Sequence, residues 1–157
     1  MSKISTDHLD ETGIFYKLLT RVPQTKGVTM YIQLLCHLLG DYVLQSTWMA
    51  NNKTKSWFAA FIHAFVYYLP FHFVLYPSPQ AAIIIIATHA VIDRYRLAKY
   101  VAYAKNFLAP APAWPSWANC HETGNPKETP PFLAVWLMII VDNAMHLIIN
   151  ALALSFL

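Results

Sequence analysis

Hydrophobic residues run in four long stretches along this chain, and polar residues interrupt them at a few regular points. The stretches cover 28–48, 57–76, 80–100 and 132–157, and a bilayer-crossing helix needs roughly 20 mostly apolar residues. A tight Pro77-Ser78-Pro79 link joins the second stretch to the third and allows only an antiparallel return. The pattern predicts an all-α polytopic membrane protein with four transmembrane helices in a bundle.

The segments outside these spans are polar or rich in proline. Residues 1–27 carry charges of both signs, and apolar residues between Phe15 and Val22 fall at helical spacing. This tail is expected to form either a short helix on the membrane surface or a frayed end. Residues 109–131 hold six of the ten prolines and are expected to form a surface loop. The chain therefore divides into a polar tail, 1–27, and a membrane domain, 28–157.

Composition supports the membrane assignment, because 57% of the residues are hydrophobic and only 12% are charged. Soluble proteins average roughly 45–50% and 25%, so this chain has too few charges to cover the outer faces of a soluble bundle. A net charge of +3 is too small and too scattered for a nucleic-acid surface. Basic residues are commoner in loops 49–56 and 94–131 than at the opposite end, which predicts that these loops are cytoplasmic.

Three polar pairs inside the spans share one spacing of four residues. They are His37–Asp41, His89–Asp93 and, in reversed order, Asp142–His146. Residues four apart lie on one face of a helix, so each pair can offer an imidazole and a carboxylate to one point. The fourth span runs opposite to the first and third, so each aspartate lies nearer the end that carries loops 49–56 and 94–131. His63, in the second span, is expected at a similar depth.

Ionisable groups in hydrocarbon are costly unless they find partners, which makes this set a candidate site. Imidazole and carboxylate together bind Zn²⁺, Mn²⁺ and Fe²⁺. We therefore expect one or two divalent transition metals, zinc first, with manganese or iron as alternatives. The candidate metal ligands are His37, Asp41, His89, Asp93, Asp142 and His146, and the candidate catalytic residues are Asp142 and His63. The alternative is a hydrogen-bonded network that only ties the helices together.

Basic residues ring the mouth of this candidate site. They are Lys53, Lys55, Arg94 and Arg96, and such a ring would suit the phosphate of a substrate. Ordinary contact with lipid headgroups is the alternative interpretation.

The runs His37-Leu-Leu-Gly-Asp41, His89-Ala-Val-Ile-Asp93 and Asp142-Asn-Ala-Met-His146, with His63, resemble an uncharacterised family of small membrane proteins of bacteria and their phages. More distantly, the chain is similar to membrane-bound metal-dependent hydrolases, which also carry His-x-x-x-Asp pairs on membrane helices. The resemblance covers residues 33–147 and implies the seven polar residues of these runs as a shared set. It also implies a place in the bacterial inner membrane. It implies no agreed activity.

Two functions follow as hypotheses. The first is a membrane-embedded metal-dependent hydrolase that acts on a lipid or another amphipathic phosphoester. The second is a non-catalytic phage or bacterial envelope protein, with an interaction or exclusion role, whose His/Asp network is structural. The expected partner is membrane lipid, and the partner classes left open are a second copy in a homo-oligomer and an envelope protein reached through loop 109–131.

Overall fold

A computed structural model describes residues 26–157 of the chain. The predicted surface helix of the tail lies outside the described residues. Within 26–157 the structure contains seven α-helices and no strand, which confirms the all-α prediction. The helices are α1 (Lys26–Leu38), α2 (Thr47–Asn52), α3 (Trp57–Leu75), α4 (Pro79–Tyr95), α5 (Ala98–Ala104), α6 (Trp117–Cys120) and α7 (Pro131–Phe156), with 3-10 turns at Lys105–Leu108 and Ala111–Ala113.

A serine cap and a proline define the α3–α4 hairpin. Tyr76 ends α3 in the left-handed conformation with φ 47°, and the Ser78 hydroxyl accepts a hydrogen bond of 3.1 Å from the backbone N–H of Ala81. Pro79 occupies the first turn of α4, where its fixed φ suits a helix start and its missing N–H costs nothing. These local signals explain the antiparallel return that the link predicts.

The first predicted span is divided because the chain leaves the α-helical path after Leu38. A π-helical turn, Leu39–Val43, follows α1 and contains Gly40, which packs on α3. A Cβ at Gly40 would lie 2.6 Å from Cδ2 and 2.7 Å from the carbonyl oxygen of Tyr67. Only glycine permits this approach, and π-helical turns of this kind often mark functional sites. The close packing places the next residue, Asp41, in the interior.

The third predicted span also differs from the observed helix. Helix α4 ends at Tyr95, and Arg96 takes the left-handed conformation with φ 51° before α5 begins at Ala98. By length and composition, two described helices are candidate membrane spans, α3 with 19 residues and α7 with 26. Helix α4 is equally apolar up to Thr88 but has 17 residues. The four-span arrangement therefore stays a prediction.

The described part of the chain has an inverted distribution of polarity. Its interior holds small apolar residues of the Ala59 and Ala60 kind, together with polar side chains that are almost fully buried. These are Gln33, His37, Asp41, His63, His89, Asp93, Asn125, His146 and Asn150. Many large apolar side chains point outward, with Phe58 68% and Ile83 66% exposed, although Tyr67, Phe71 and Ile85 are fully buried. Soluble proteins place ionisable residues at the surface and large apolar ones inside.

The proline-rich segment packs against α5. Trp117 stacks on Tyr100 with ring centroids 5.1 Å apart, and Asn106 donates a 2.9 Å hydrogen bond to the carbonyl of Gly124. Gly124 has φ +80°, and a Cβ there would lie 2.1 Å from the carbonyl oxygen of Lys99. The segment is thereby fixed at the same end of the bundle as loop 49–56, which we call the loop end.

Candidate metal centre

Four ionisable side chains from three parts of the fold meet inside the bundle near the loop end. His63 comes from α3, His89 and Asp93 lie one turn apart on α4, and Asp41 comes from the π-helical turn. The exposed fraction of each residue is between 0% and 7%. The i, i+4 spacing puts His89 and Asp93 on one helix face, and the Gly40 contact brings Asp41 to the same level.

Three ligand atoms form a nearly equilateral triangle. The Nε2 atoms of His63 and His89 lie 3.0 Å apart, and Oδ1 of Asp41 lies 3.2 Å from the first and 3.4 Å from the second. Four atoms at tetrahedral positions about 2.0 Å from a metal are roughly 3.3 Å apart. The triangle of Asp41, His63 and His89 therefore has the size of one face of such a site, and it could hold a metal ion.

Asp93 is as close to the two imidazoles as Asp41 is. Its Oδ2 is 3.1 Å from Nε2 of His63 and 3.2 Å from Nε2 of His89. The Lys53 ammonium lies 2.8 Å from the same oxygen and 3.2 Å from Nε2 of His63. The Lys53 ammonium therefore lies against the negative charge of Asp93 in this cluster.

His146 extends the cluster from α7. Its ring centroid is 4.2 Å from that of His89, and His89, Asp93 and His146 form a second group that could hold a metal ion. Nδ1 of His146 lies 3.0 Å from the backbone carbonyl oxygen of Asp142 and 3.5 Å from its Oδ2. In the described part of the chain, Nε2 of His146 has no hydrogen-bond partner. It therefore has a nitrogen available for a ligand.

His37 belongs to a different layer, in which polar atoms satisfy one another. Its Nδ1 is 2.9 Å from the hydroxyl of Tyr67, and its Nε2 is 3.2 Å from Oδ1 of Asn143. The amide of Asn150 donates a 2.5 Å hydrogen bond to the same Tyr67 hydroxyl. With both ring nitrogens already bound, His37 is built to join α1, α3 and α7. We call His37, Tyr67, Asn143 and Asn150 the closed layer.

The sequence pattern assigns Tyr67 no role, although this residue contacts both His37 and His89. Its ring stacks on that of His89 with centroids 3.8 Å apart and an interplanar angle of 20°, and it is fully buried. An aromatic residue in an apolar span carries no polar signal of its own. The available signal was its spacing, because Tyr67 follows His63 by four residues and so shares its helix face.

The structure thus divides the predicted site residues. Four predicted ligands, Asp41, His89, Asp93 and His146, lie in the two groups that could hold metal, together with His63. The other two, His37 and Asp142, lie outside both groups. We call Asp41, His63, His89, Asp93 and His146 the open cluster.

The predicted basic rim is also divided. Arg94 donates a 2.6 Å hydrogen bond to the carbonyl of Thr54 and lies over the ring of Trp57, so it joins loop 49–56 to α4. Lys55 is exposed. Lys53 turns inward to Asp93, and Arg96 contacts the sulfur of Met138 at 3.6 Å.

A cleft of about 200 Å³ connects this end of the bundle to the open cluster. Its lining residues are Lys53, Thr54, Asp93, Arg96, Ala98, Met138, Ile139 and Asp142. Two cationic side chains and two carboxylates therefore face one space. The cleft borders the open cluster at Asp93, beside Lys53.

An all-helical fold around a buried cluster of histidine and aspartate that could hold a metal defines the class of this protein. Over residues 29–157 the chain matches the family described as "Protein of unknown function (DUF3307)", and it belongs to that family. Membership of an uncharacterised family is thereby confirmed, while the bacterial or phage origin and the hydrolase relationship stay predictions. No curated protein and no solved structure matches the chain.

Proposed function

We propose that this protein is a membrane-embedded metal-dependent hydrolase that acts on a lipid or another amphipathic phosphoester. The observation that carries the proposal is the triangle of Asp41, His63 and His89, whose edges measure 3.0–3.4 Å. A cleft with two cationic side chains adjoins this triangle through Asp93. Ligand atoms of this kind next to a place for an anion are what phosphoester hydrolysis at a metal requires.

The inverted polarity supports the membrane part of the proposal. The most apolar window of α7 is only 11% buried, whereas a core helix of a soluble protein would be covered on most sides. Helix α4, with its 17 residues, is about 26 Å long, close to the roughly 30 Å of a bilayer core. We propose four crossings of the bacterial inner membrane, with loops 49–56 and 94–131 on the cytoplasmic side.

The ligand set supports zinc as the proposed metal, with manganese or iron as alternatives. Two histidines and one carboxylate hold zinc in several hydrolases and leave a fourth position for water. The same set with open positions also binds iron. Because His89 belongs to both groups that could hold metal, we propose one ion at a time rather than two.

In the proposed reaction, a metal held by Asp41, His63 and His89 would supply a water that is nucleophilic at neutral pH. Asp93 faces both the cleft and the two imidazoles, so its carboxylate can accept the proton of that water. The water oxygen would bond to phosphorus as the P–O bond to the alcohol breaks, and the alcohol oxygen would take the proton from Asp93 as it leaves. Lys53 and Arg96 line the cleft and can hold the phosphate oxygens. Asp142, which also faces the cleft, keeps its predicted role as an alternative base.

Metal analysis of detergent-purified protein tests the proposal first. After supplementation with zinc, manganese or iron, we expect close to one equivalent of one metal in the wild type. Asp41→Asn should lose most of it. His72→Gln is the matched control, because His72 is exposed on α3 and outside the open cluster. Less than about a tenth of an equivalent of metal in the wild type would contradict the proposal of a metal-dependent enzyme.

Hydrolysis is then measured on phosphodiester and phosphomonoester lipids in mixed micelles, with metal-loaded and chelator-treated protein. Release of the alcohol only with metal supports the hydrolase. Bound metal without turnover of any lipid phosphoester would overturn the enzymatic part. Absence of both would leave the alternative hypothesis, an envelope protein with a structural network and an interaction through loop 109–131.

A further inference from the structure

Lys53 has an unusual position for a lysine near a membrane surface. It follows the last turn of α2 as its C-cap residue, and its side chain is only 19% exposed. A lysine at this level ordinarily extends its ammonium toward water and headgroups. Here the ammonium turns inward, 2.8 Å from Oδ2 of Asp93 and 3.2 Å from Nε2 of His63.

One partner of this ammonium is an atom that the proposed metal would use, and the other lies beside it. Nε2 of His63 is a corner of the ligand triangle, and Oδ2 of Asp93 lies within 3.2 Å of both imidazole nitrogens. An ammonium and a divalent ion cannot share these atoms at such distances, because two cations a few ångströms apart repel strongly in a site shielded from water. Occupation by one therefore disfavours the other.

The charges of the site indicate which kind of anion the metal-loaded site would bind. With neutral imidazoles, Asp41, Asp93 and Lys53 sum to one negative charge, so the ammonium alone leaves one carboxylate uncompensated. A divalent metal changes the sum to one positive charge. In the cleft, Arg96 and Asp142 cancel each other. The metal-loaded site thus complements an anion with a single charge, which is the charge of a phosphodiester.

We infer that Lys53 and the metal compete for one position beside His63 and Asp93, and that metal binding releases the Lys53 ammonium into the cleft to hold a phosphodiester. The inference rests on the proposed function and adds to it a substrate class and an order of binding, metal first. The same lysine acts as a placeholder for the metal and then as a contact for the substrate anion. The cleft that receives it is already lined by Lys53 and Arg96.

Zinc titration of Lys53→Met in detergent tests the competition. Removing the ammonium should tighten zinc binding about tenfold, since zinc no longer displaces a close charge partner. Lys127→Met is the control, because it removes one exposed positive charge in the proline-rich segment, away from the open cluster. Equal zinc affinity in the wild type and Lys53→Met would overturn the inference but leave the metal centre intact.

The second half of the inference concerns the anion. Zinc-loaded Lys53→Met should bind diethyl phosphate, a soluble phosphodiester with one negative charge, about tenfold more weakly than the zinc-loaded wild type. Unchanged affinity would show that the released ammonium does not reach the anion and would overturn this step. If neither protein binds zinc, the inference and the proposed function fail together.

Chemical labelling of the wild type gives a readout that does not depend on how the variant folds. An amine-acetylating reagent followed by mass spectrometry should modify Lys53 several-fold faster after zinc is added, because the ammonium leaves its buried partners. Lys127 should react at the same rate with and without zinc. A Lys53 rate that does not respond to zinc, in protein shown to have bound it, would overturn the exchange.

Discussion

The open cluster and the closed layer use the same kinds of residue in the same bundle, yet their hydrogen bonding differs. In the closed layer, His37 has a partner on each ring nitrogen, from Tyr67 and Asn143. In the open cluster, His63 and His89 point their Nε2 atoms at each other and at two carboxylates. Within the described residues, their Nδ1 atoms have no hydrogen-bond partner.

Spacing alone therefore does not separate a metal ligand from a residue that only ties helices together. His37–Asp41 and His89–Asp93 share the i, i+4 pattern, but only the second histidine joins a group that could hold metal. The neighbours decide. A histidine whose nitrogens face a tyrosine hydroxyl and an amide is satisfied, whereas one that faces carboxylates and another imidazole needs a shared cation or proton.

Exchange of His89 for alanine should have the largest effect on zinc affinity, and it tests most directly whether the open cluster differs from the closed layer. Because His89 supplies a corner of the ligand triangle, we expect His89→Ala to weaken zinc binding more than about 100-fold, beyond the 10–100-fold typical of groups around the ligands. His37→Ala should change zinc affinity less than about tenfold. Both are measured by zinc titration of detergent-purified protein. Similar losses in the two variants would mean that the layers are one site.

Gly40→Ala should disturb both regions at once. Its new Cβ would lie 2.6–2.9 Å from side-chain and backbone atoms of Tyr67, and the backbone cannot move away as a flexible side chain could. We expect a loss of about 2 kcal/mol in the free energy of unfolding, as for other overpacked sites. The measurement is reversible unfolding in mixed micelles. A variant as stable as the wild type would show that the π-helical turn adapts freely.

Tyr67→Phe should separate stability from metal binding. The change removes a hydroxyl that bonds His37 and Asn150, so two buried polar groups lose a partner and unfolding should become easier by about 1.5 kcal/mol. Zinc affinity should stay within about threefold, because the phenyl ring can still stack on His89. Tyr31→Phe, at a position 73% exposed, serves as the control. A large loss of zinc binding in Tyr67→Phe would assign the closed layer to the metal centre.

The apolar pattern predicted where the helices lie because their length and hydrophobicity are local properties. It did not predict the break after Leu38, since that break depends on the contact between Gly40 and Tyr67, which are distant in sequence. The apolar pattern also did not predict the end of α4 at Tyr95. Arg96 adopts φ 51° although the residue type does not favour the left-handed region.

The histidine and aspartate pairs predicted much of the open cluster, because residues four apart on a helix must share a face. The pairs could not predict that His37 lies outside the open cluster, since its hydrogen-bond partners come from α3 and α7. The direction of Lys53 was equally hidden. A lysine beside an apolar span has long, flexible reach, and only the folded structure shows that it turns to Asp93.

Substitution of Asp142 should have the smallest effect on zinc affinity, and it tests whether the open cluster ends at His146. Its carboxylate lies 3.5 Å from Nδ1 of His146, and its backbone carbonyl is nearer to that nitrogen, at 3.0 Å. Asp142→Asn keeps the backbone contact and should change zinc affinity less than about threefold, whereas Asp93→Asn should weaken it tenfold or more. Zinc titrations of the two variants, side by side, measure the contrast. If Asp142→Asn lost as much affinity as Asp93→Asn, the ligand set would extend to α7 through its carboxylate, and a second ion at His146 would become the better description.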